Sequence, residues 1–123
     1  PNFSHVDAAF SKLEFPSDWQ KTEESENRGR SGRACDAFNA SGCFHKSVDF
    51  KVKDVIEARN QVRELFLKQP GCTNVTAEQV NERNTSDSPL TAANIECKTP
   101  QGLTYYSSSS LMDGDISVGV STY

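Results

Sequence analysis

The chain has 123 residues, a formal charge of −4, 35% apolar and 24% charged residues, and a mean hydropathy of −0.63. That length buries one modest core and excludes a second domain. No apolar run approaches the roughly 18 residues a membrane-spanning helix requires. The charge excess lies in residues 69–123, where Glu78, Glu82, Asp87, Glu96, Asp113 and Asp115 are set against Arg83 and Lys98 alone; the concentrated positive field that nucleic-acid binding needs is missing.

Ser4 reads as a helix N-cap with Asp7 three positions on, and Val6, Phe10 and Leu13 fall on one face. Pro16 ends the pattern, so residues 1–16 are expected to form an N-terminal helix, as a stalk joint or as a cap on the core. Residues 22–33 (TEESENRGRSGR) hold no apolar side chain and two glycines, which predicts a mobile, solvated loop. Its Arg28, Arg30 and Arg33 make it a candidate binding element.

Next come Cys35, a turn at residues 39–42 and Cys43, then a clean alternation: Phe44, Val48, Phe50 and Val52 on one side, His45, Ser47, Asp49, Lys51 and Lys53 on the other. The period of two predicts an antiparallel strand with one face in the core and one in water, and His45 is expected on the solvent face. Lys46 breaks the pattern, with a stem long enough to snorkel. Asp54 is placed to cap a helix, Val55, Ala58, Val62, Leu65, Phe66 and Gln69 form its inward stripe, and Pro70 with Gly71 stops it. After it, a weak strand is expected from Cys72 to about Val80 and a polar, turn-rich stretch over residues 81–89. A strand through Ala93, Ile95 and Cys97 leads to a tight turn at residues 99–102 and then to Leu103, Tyr105 and Tyr106. A loop over residues 107–115 and a last strand through Ile116, Val118 and Val120 complete the chain. The fold class is α+β: one antiparallel sheet in a single domain, residues 1–123, with the main helix across one face.

The run AAFSKLEFPSDWQ, a polar segment, a cysteine-bracketed hairpin, a helix and a second cysteine pair together resemble uncharacterised extracytoplasmic domains of single-pass membrane proteins in Gram-positive, actinobacteria-like organisms. The likeness covers most of the chain and rests on Leu13, Pro16, Trp19 and the four cysteines. It implies an extracytoplasmic placement and no particular activity.

Four cysteines without a Cys-x-x-Cys pair favour disulfides over zinc and therefore an oxidising compartment, secreted or at the cell surface. Of three connectivities, Cys35–Cys43 across a hairpin and Cys72–Cys97 from the helix exit to a neighbouring strand are expected, stapling residues 34–123. Sequons at Asn2, Asn39, Asn74 and Asn84 agree with surface loops. A zinc site at Cys35, Cys43 and His45 lacks a fourth ligand, and a calcium site at Asp113 and Asp115 lacks the twelve-residue ligand pattern; no metal and no cofactor is expected. His45, Ser47 and Asp49 share one strand face but stand about 7 Å apart, too far for a direct proton relay, and no catalytic residue is assigned. Tyr105, Tyr106 and Tyr123 give the last strands an aromatic and hydroxyl surface suited to a ligand.

These features predict an extracytoplasmic binding module without catalytic activity. It would take a protein or cell-surface ligand on the exposed sheet face or the last hairpin, with a membrane anchor or a cleaved signal upstream of Pro1. The alternatives are a secreted inhibitor or effector that inserts the loop over residues 22–33, and a small hydrolase using His45.

Overall fold

The computed structural model describes residues 2–29, 43–83, 90–111 and 113–122. In chain order these form α1 (Phe3–Ser11), β1 (Gln20–Asn27), β2 (Phe44–Lys51), α2 (Val55–Leu67), β3 (Thr76–Arg83), β4 (Leu90–Lys98), β5 (Leu103–Ser110) and β6 (Asp115–Thr122). The fold is α+β. Six antiparallel strands make one sheet in the order β1-β2-β6-β5-β4-β3, and α1 packs on β2 and β6 while α2 packs on β4, β5 and β6.

The main helix forms as its sequence dictates. The Asp54 carboxylate accepts the Glu57 backbone N–H at 3.1 Å, which satisfies one of the orphan donors of the first turn. Val55, Ala58, Val62 and Phe66 are buried. Gln69 turns its amide back to the Leu65 carbonyl at 3.0 Å. On the sheet, Val48, Phe50, Ile95, Cys97, Tyr105, Ile116, Val118 and Val120 meet Val6, Ala9, Phe10 and Leu13 of the N-terminal segment and the α2 stripe in one continuous core. Lys46 lies on this side too. Its ammonium reaches past the Phe10 ring, 5.2 Å from the centroid, to Asp7 at 3.1 Å, the snorkelling that a lysine on a core face requires.

The FPSDW segment seals the core at one corner. Phe15 packs at a tilt on Phe50 at 4.8 Å and Trp19 meets the same ring edge-on at 5.3 Å. Cys72, just after α2, is bridged to Cys97 of β4 with their Cα atoms 6.0 Å apart. This disulfide closes a stretch of 25 residues that includes β3, the edge strand of that side.

Several expectations are corrected. The cap of α1 is Asn2, not Ser4: its side chain accepts from the Ser4 N–H at 3.0 Å, and its own N–H donates to His5 Nδ1 at 3.3 Å. Residues 22–27 are strand, not loop. They belong to β1, whose pairing from Gln20 with Lys51 to Asn27 with His45 is broken by one irregularity between Lys21 and Glu23. A strand with no apolar side chain is stable here because it is an edge, paired on one side and almost wholly exposed. Residues 107–110 are likewise strand: β5 continues through Ser110 because β4 and β6 hydrogen-bond it from both sides. The last strand, β6, occupies the middle of the sheet between β2 and β5, so the hairpin it forms with β5 is not a free edge. The turn before β5 is as expected, with Gly102 at φ 85° and its N–H donating to Thr99 O at 3.1 Å.

Cys35, Arg30, Arg33, Tyr123, the sequons at Asn39 and Asn84, the expected pairing of residues 34–38 and the turn-rich residues 84–89 lie outside the described residues. The Cys35–Cys43 bridge is therefore among those expectations. Cys43 itself is fully buried and is not a free thiol.

Candidate functional site: the helix-free face of the sheet

Because both helices pack on one side, the other side of the sheet is defined by register and parity alone. On β2 it carries His45, Ser47, Asp49 and Lys51, and on β6 Asp115, Ser117, Gly119 and Ser121. Thr104, Tyr106, Ser108 and Ser110 follow on β5, then Ala92, Asn94, Glu96 and Lys98 on β4. Strand pairing arranges them in rows. His45 is opposite Ser121 and Ser121 opposite Thr104, while Ser47, Gly119, Tyr106 and Glu96 form the next row, and Asp49, Ser117, Ser108 and Asn94 the one after. Hydroxyl groups dominate, and no large aliphatic side chain stands in these three rows.

The centre of the face is Tyr106. The phenol end of its ring passes over Gly119: a Cβ on that glycine would fall 2.5 Å from the ring's Cζ and hydroxyl and 2.9 Å from the Ser47 Cβ. Glycine is needed at position 119 because the tyrosine occupies the space above it. The phenol reaches across β6 to hydrogen-bond the Ser47 side chain. Burial pushes its pKa up to about 12, with the nearby Asp49 carboxylate adding in the same direction and the Ser47 hydrogen bond opposing it. At neutral pH Tyr106 is therefore a fixed, uncharged ring with a tethered hydroxyl.

His45 does face away from the helices, as parity predicts, but it is buried rather than solvent-exposed. Its Nδ1 is 3.2 Å from the Cys43 carbonyl. A carbonyl only accepts, so Nδ1 is the donor in this contact. Next to it Ser121 is fully buried and its hydroxyl has no hydrogen-bond partner among the described residues. Ser47, the other hydroxyl near His45 on the same strand, is engaged by Tyr106. Toward the opposite end the face opens: Asp49, Ser117 and Ser108 are half-exposed, and Lys51 is ion-paired with Asp115 at 3.0 Å.

The remaining sequence candidates fall elsewhere. Tyr105 points into the core against Phe66, ring centroids 5.6 Å apart, and is 2% exposed, so it belongs to the packing rather than to any surface. Arg28 lies at the far end of β1, its guanidinium 4.3 Å over the Phe3 ring and its Nε donating to Glu26 at 3.3 Å; it ties the edge strand to α1. Among the described residues no group of three His, Cys, Asp or Glu side chains is arranged to hold a metal ion. The reading of the sequence missed Arg59, which is buried and donates from Nε to Ser109 Oγ at 2.7 Å and from a terminal nitrogen to the Ser109 carbonyl at 3.3 Å. Desolvation lowers its pKa. The signal was weak, since position 59 falls about 20° outside the arc spanned by 55, 58, 62 and 66 at roughly 100° per residue.

Comparison of the chain with protein-family models, curated proteins and solved structures returns no match.

Proposed function

We propose that the chain is an extracytoplasmic binding module without catalytic activity, and that it takes a protein or cell-surface ligand on the open part of the helix-free face, over Asp49, Ser117 and Ser108. The observation that carries this reading is the asymmetry of the sheet. Both helices are spent on one side, while the other presents the half-exposed Asp49, Ser117 and Ser108 beside a buried Tyr106 ring, small polar groups that suit adaptable hydrogen-bonded contacts on a rigid support. The Cys72–Cys97 disulfide agrees with an oxidising compartment, and no helix among the described residues is long and apolar enough to cross a membrane.

The same reading pairs Cys35 with Cys43 as a second disulfide. Intact mass with and without reduction and alkylation checks it: four blocked thiols before reduction agree, and a modified Cys35 in untreated protein contradicts.

The reading is tested with intact cells of the species that encodes the chain. Labelled protein is expected to bind saturably, and the double variant Asp49→Lys/Ser117→Lys, which places two long cations on the open part of the face, is expected to lose that binding while keeping its circular dichroism. Undiminished binding by the folded variant, or no binding by the unaltered protein, counts against the helix-free face. The inserting-loop alternative is narrowed by the fold: deleting residues 22–33 would also remove most of β1, so loss of activity on that deletion no longer singles out a loop.

A further inference from the structure

A second surface lies on the opposite side of the molecule. The connector between α1 and β1 runs alongside α2 and leaves a groove of about 340 Å³ between them. Its apolar lining comes from Pro16, Trp19 and Leu65, each partly buried. The rim is acidic. Glu57 and Glu64 contribute from the α2 stripe that also carries Gln61 and Lys68, positions spaced four, seven and eleven apart and so on one helix face, while Glu14 approaches from the connector. None of these three carboxylates has an ion-pair partner among the described residues, although five other exposed or half-exposed pairs do form. Lys68 is the single cation on the rim among the described residues.

We propose that this groove docks a basic segment of another protein, a lysine or arginine side chain laying its aliphatic stem on Trp19 and Leu65 and its charged head between Glu57, Glu64 and Glu14. Charge complementarity selects the occupant. A long cationic side chain satisfies both the apolar floor and the carboxylate rim, whereas a purely aliphatic side chain leaves the rim unused and an anionic one is repelled. Trp19 is a suitable anchor because Phe15 and Phe50 already hold its ring, centroids 6.1 and 5.3 Å away, so docking orders nothing new at that point. A second copy of this chain is disfavoured as occupant by its own charge of −4. The proposal does not rest on the helix-free face, and its residues are not among those tested above.

Trp19 is the single tryptophan of the chain, so all tryptophan emission comes from a residue that lines this groove. A short synthetic peptide of alternating lysine and leucine is expected to change that emission saturably, more weakly as salt is raised. Its glutamate and leucine counterpart is expected to do nothing. The Glu57→Gln/Glu64→Gln variant, altered at two exposed positions and expected to remain folded, should bind the basic peptide about tenfold more weakly, the equivalent of two rim ion pairs. Equal affinity in the variant overturns the proposal. So does an equal response to the acidic peptide, a response without saturation, or concentration-dependent self-association that changes Trp19 emission with no peptide present.

Discussion

The two faces of one sheet are built on opposite principles. On the helix-covered face, Val48, Phe50, Ile95, Ile116, Val118 and Val120 interlock with Val6, Phe10, Val62 and Phe66, and affinity for water has been traded for packing. On the other face the same strands alternate to serine, threonine, asparagine and carboxylate, and the large ring at the centre, Tyr106, is accommodated by removing a side chain opposite it, at Gly119. The difference teaches which positions carry the stability of the fold and which are free of that demand. A change under the helices is felt as a loss of fold, whereas a change on the open part of the other face has little packing to disturb.

Substitutions can break that contrast, and the largest effect is expected under α2. Phe66 is fully buried and packed at a tilt against Tyr105; Phe66→Ala should cost about 3–5 kcal/mol of unfolding free energy in urea titrations. At the centre of the helix-free face Gly119→Ala should cost about 1–3 kcal/mol, because the new methyl overlaps the Tyr106 ring. That cost should shrink when Tyr106→Ala is added. An additive double variant would mean that the ring does not lie where it is placed.

Much of this contrast is legible in the sequence, and the exceptions have physical reasons. The α2 stripe, its Asp54 cap and the alternation of β2 are local patterns and are visible directly. Strand β1 is not, since the usual sign of a strand is an apolar face and an exposed edge has none. The serines of β5 are also misleading: serine has weak β propensity, and Ser107 to Ser110 are strand because β4 and β6 supply hydrogen bonds from both sides. Parity puts His45 on the correct face, but parity carries no information on burial. The pairing of Tyr106 with Gly119 and Ser47 depends on β6 lying between β2 and β5, a long-range arrangement that no local pattern encodes.

Alkaline pH gives a smaller, more specific effect. Tyr106 has its folded pKa raised to about 12 from an ordinary value of 10.0, and Tyr105 is raised too, both by burial. A raised pKa means that the folded state holds the proton more tightly than the unfolded chain. The associated stability is complete below pH 10 and is lost as the pH climbs through about 12, in an amount of order 2 kcal/mol for Tyr106. Unfolding midpoints measured from pH 9 to 12 should fall, and Tyr106→Phe should flatten part of that fall. An unchanged slope in the variant would contradict the burial of this phenol. The smallest effect has the opposite sign: Ser107 has a buried hydroxyl without a hydrogen-bond partner among the described residues, so Ser107→Ala should leave thermal stability unchanged or raise it by up to about 1 kcal/mol.

The separation of stability from recognition is tested most directly by measuring both on one sample of the Asp49→Lys/Ser117→Lys protein. The account predicts a melting temperature within a few degrees of the unaltered chain together with loss of saturable binding to cells. A collapsed melting temperature would make the helix-free face a structural surface, and intact binding would place the ligand elsewhere on the molecule.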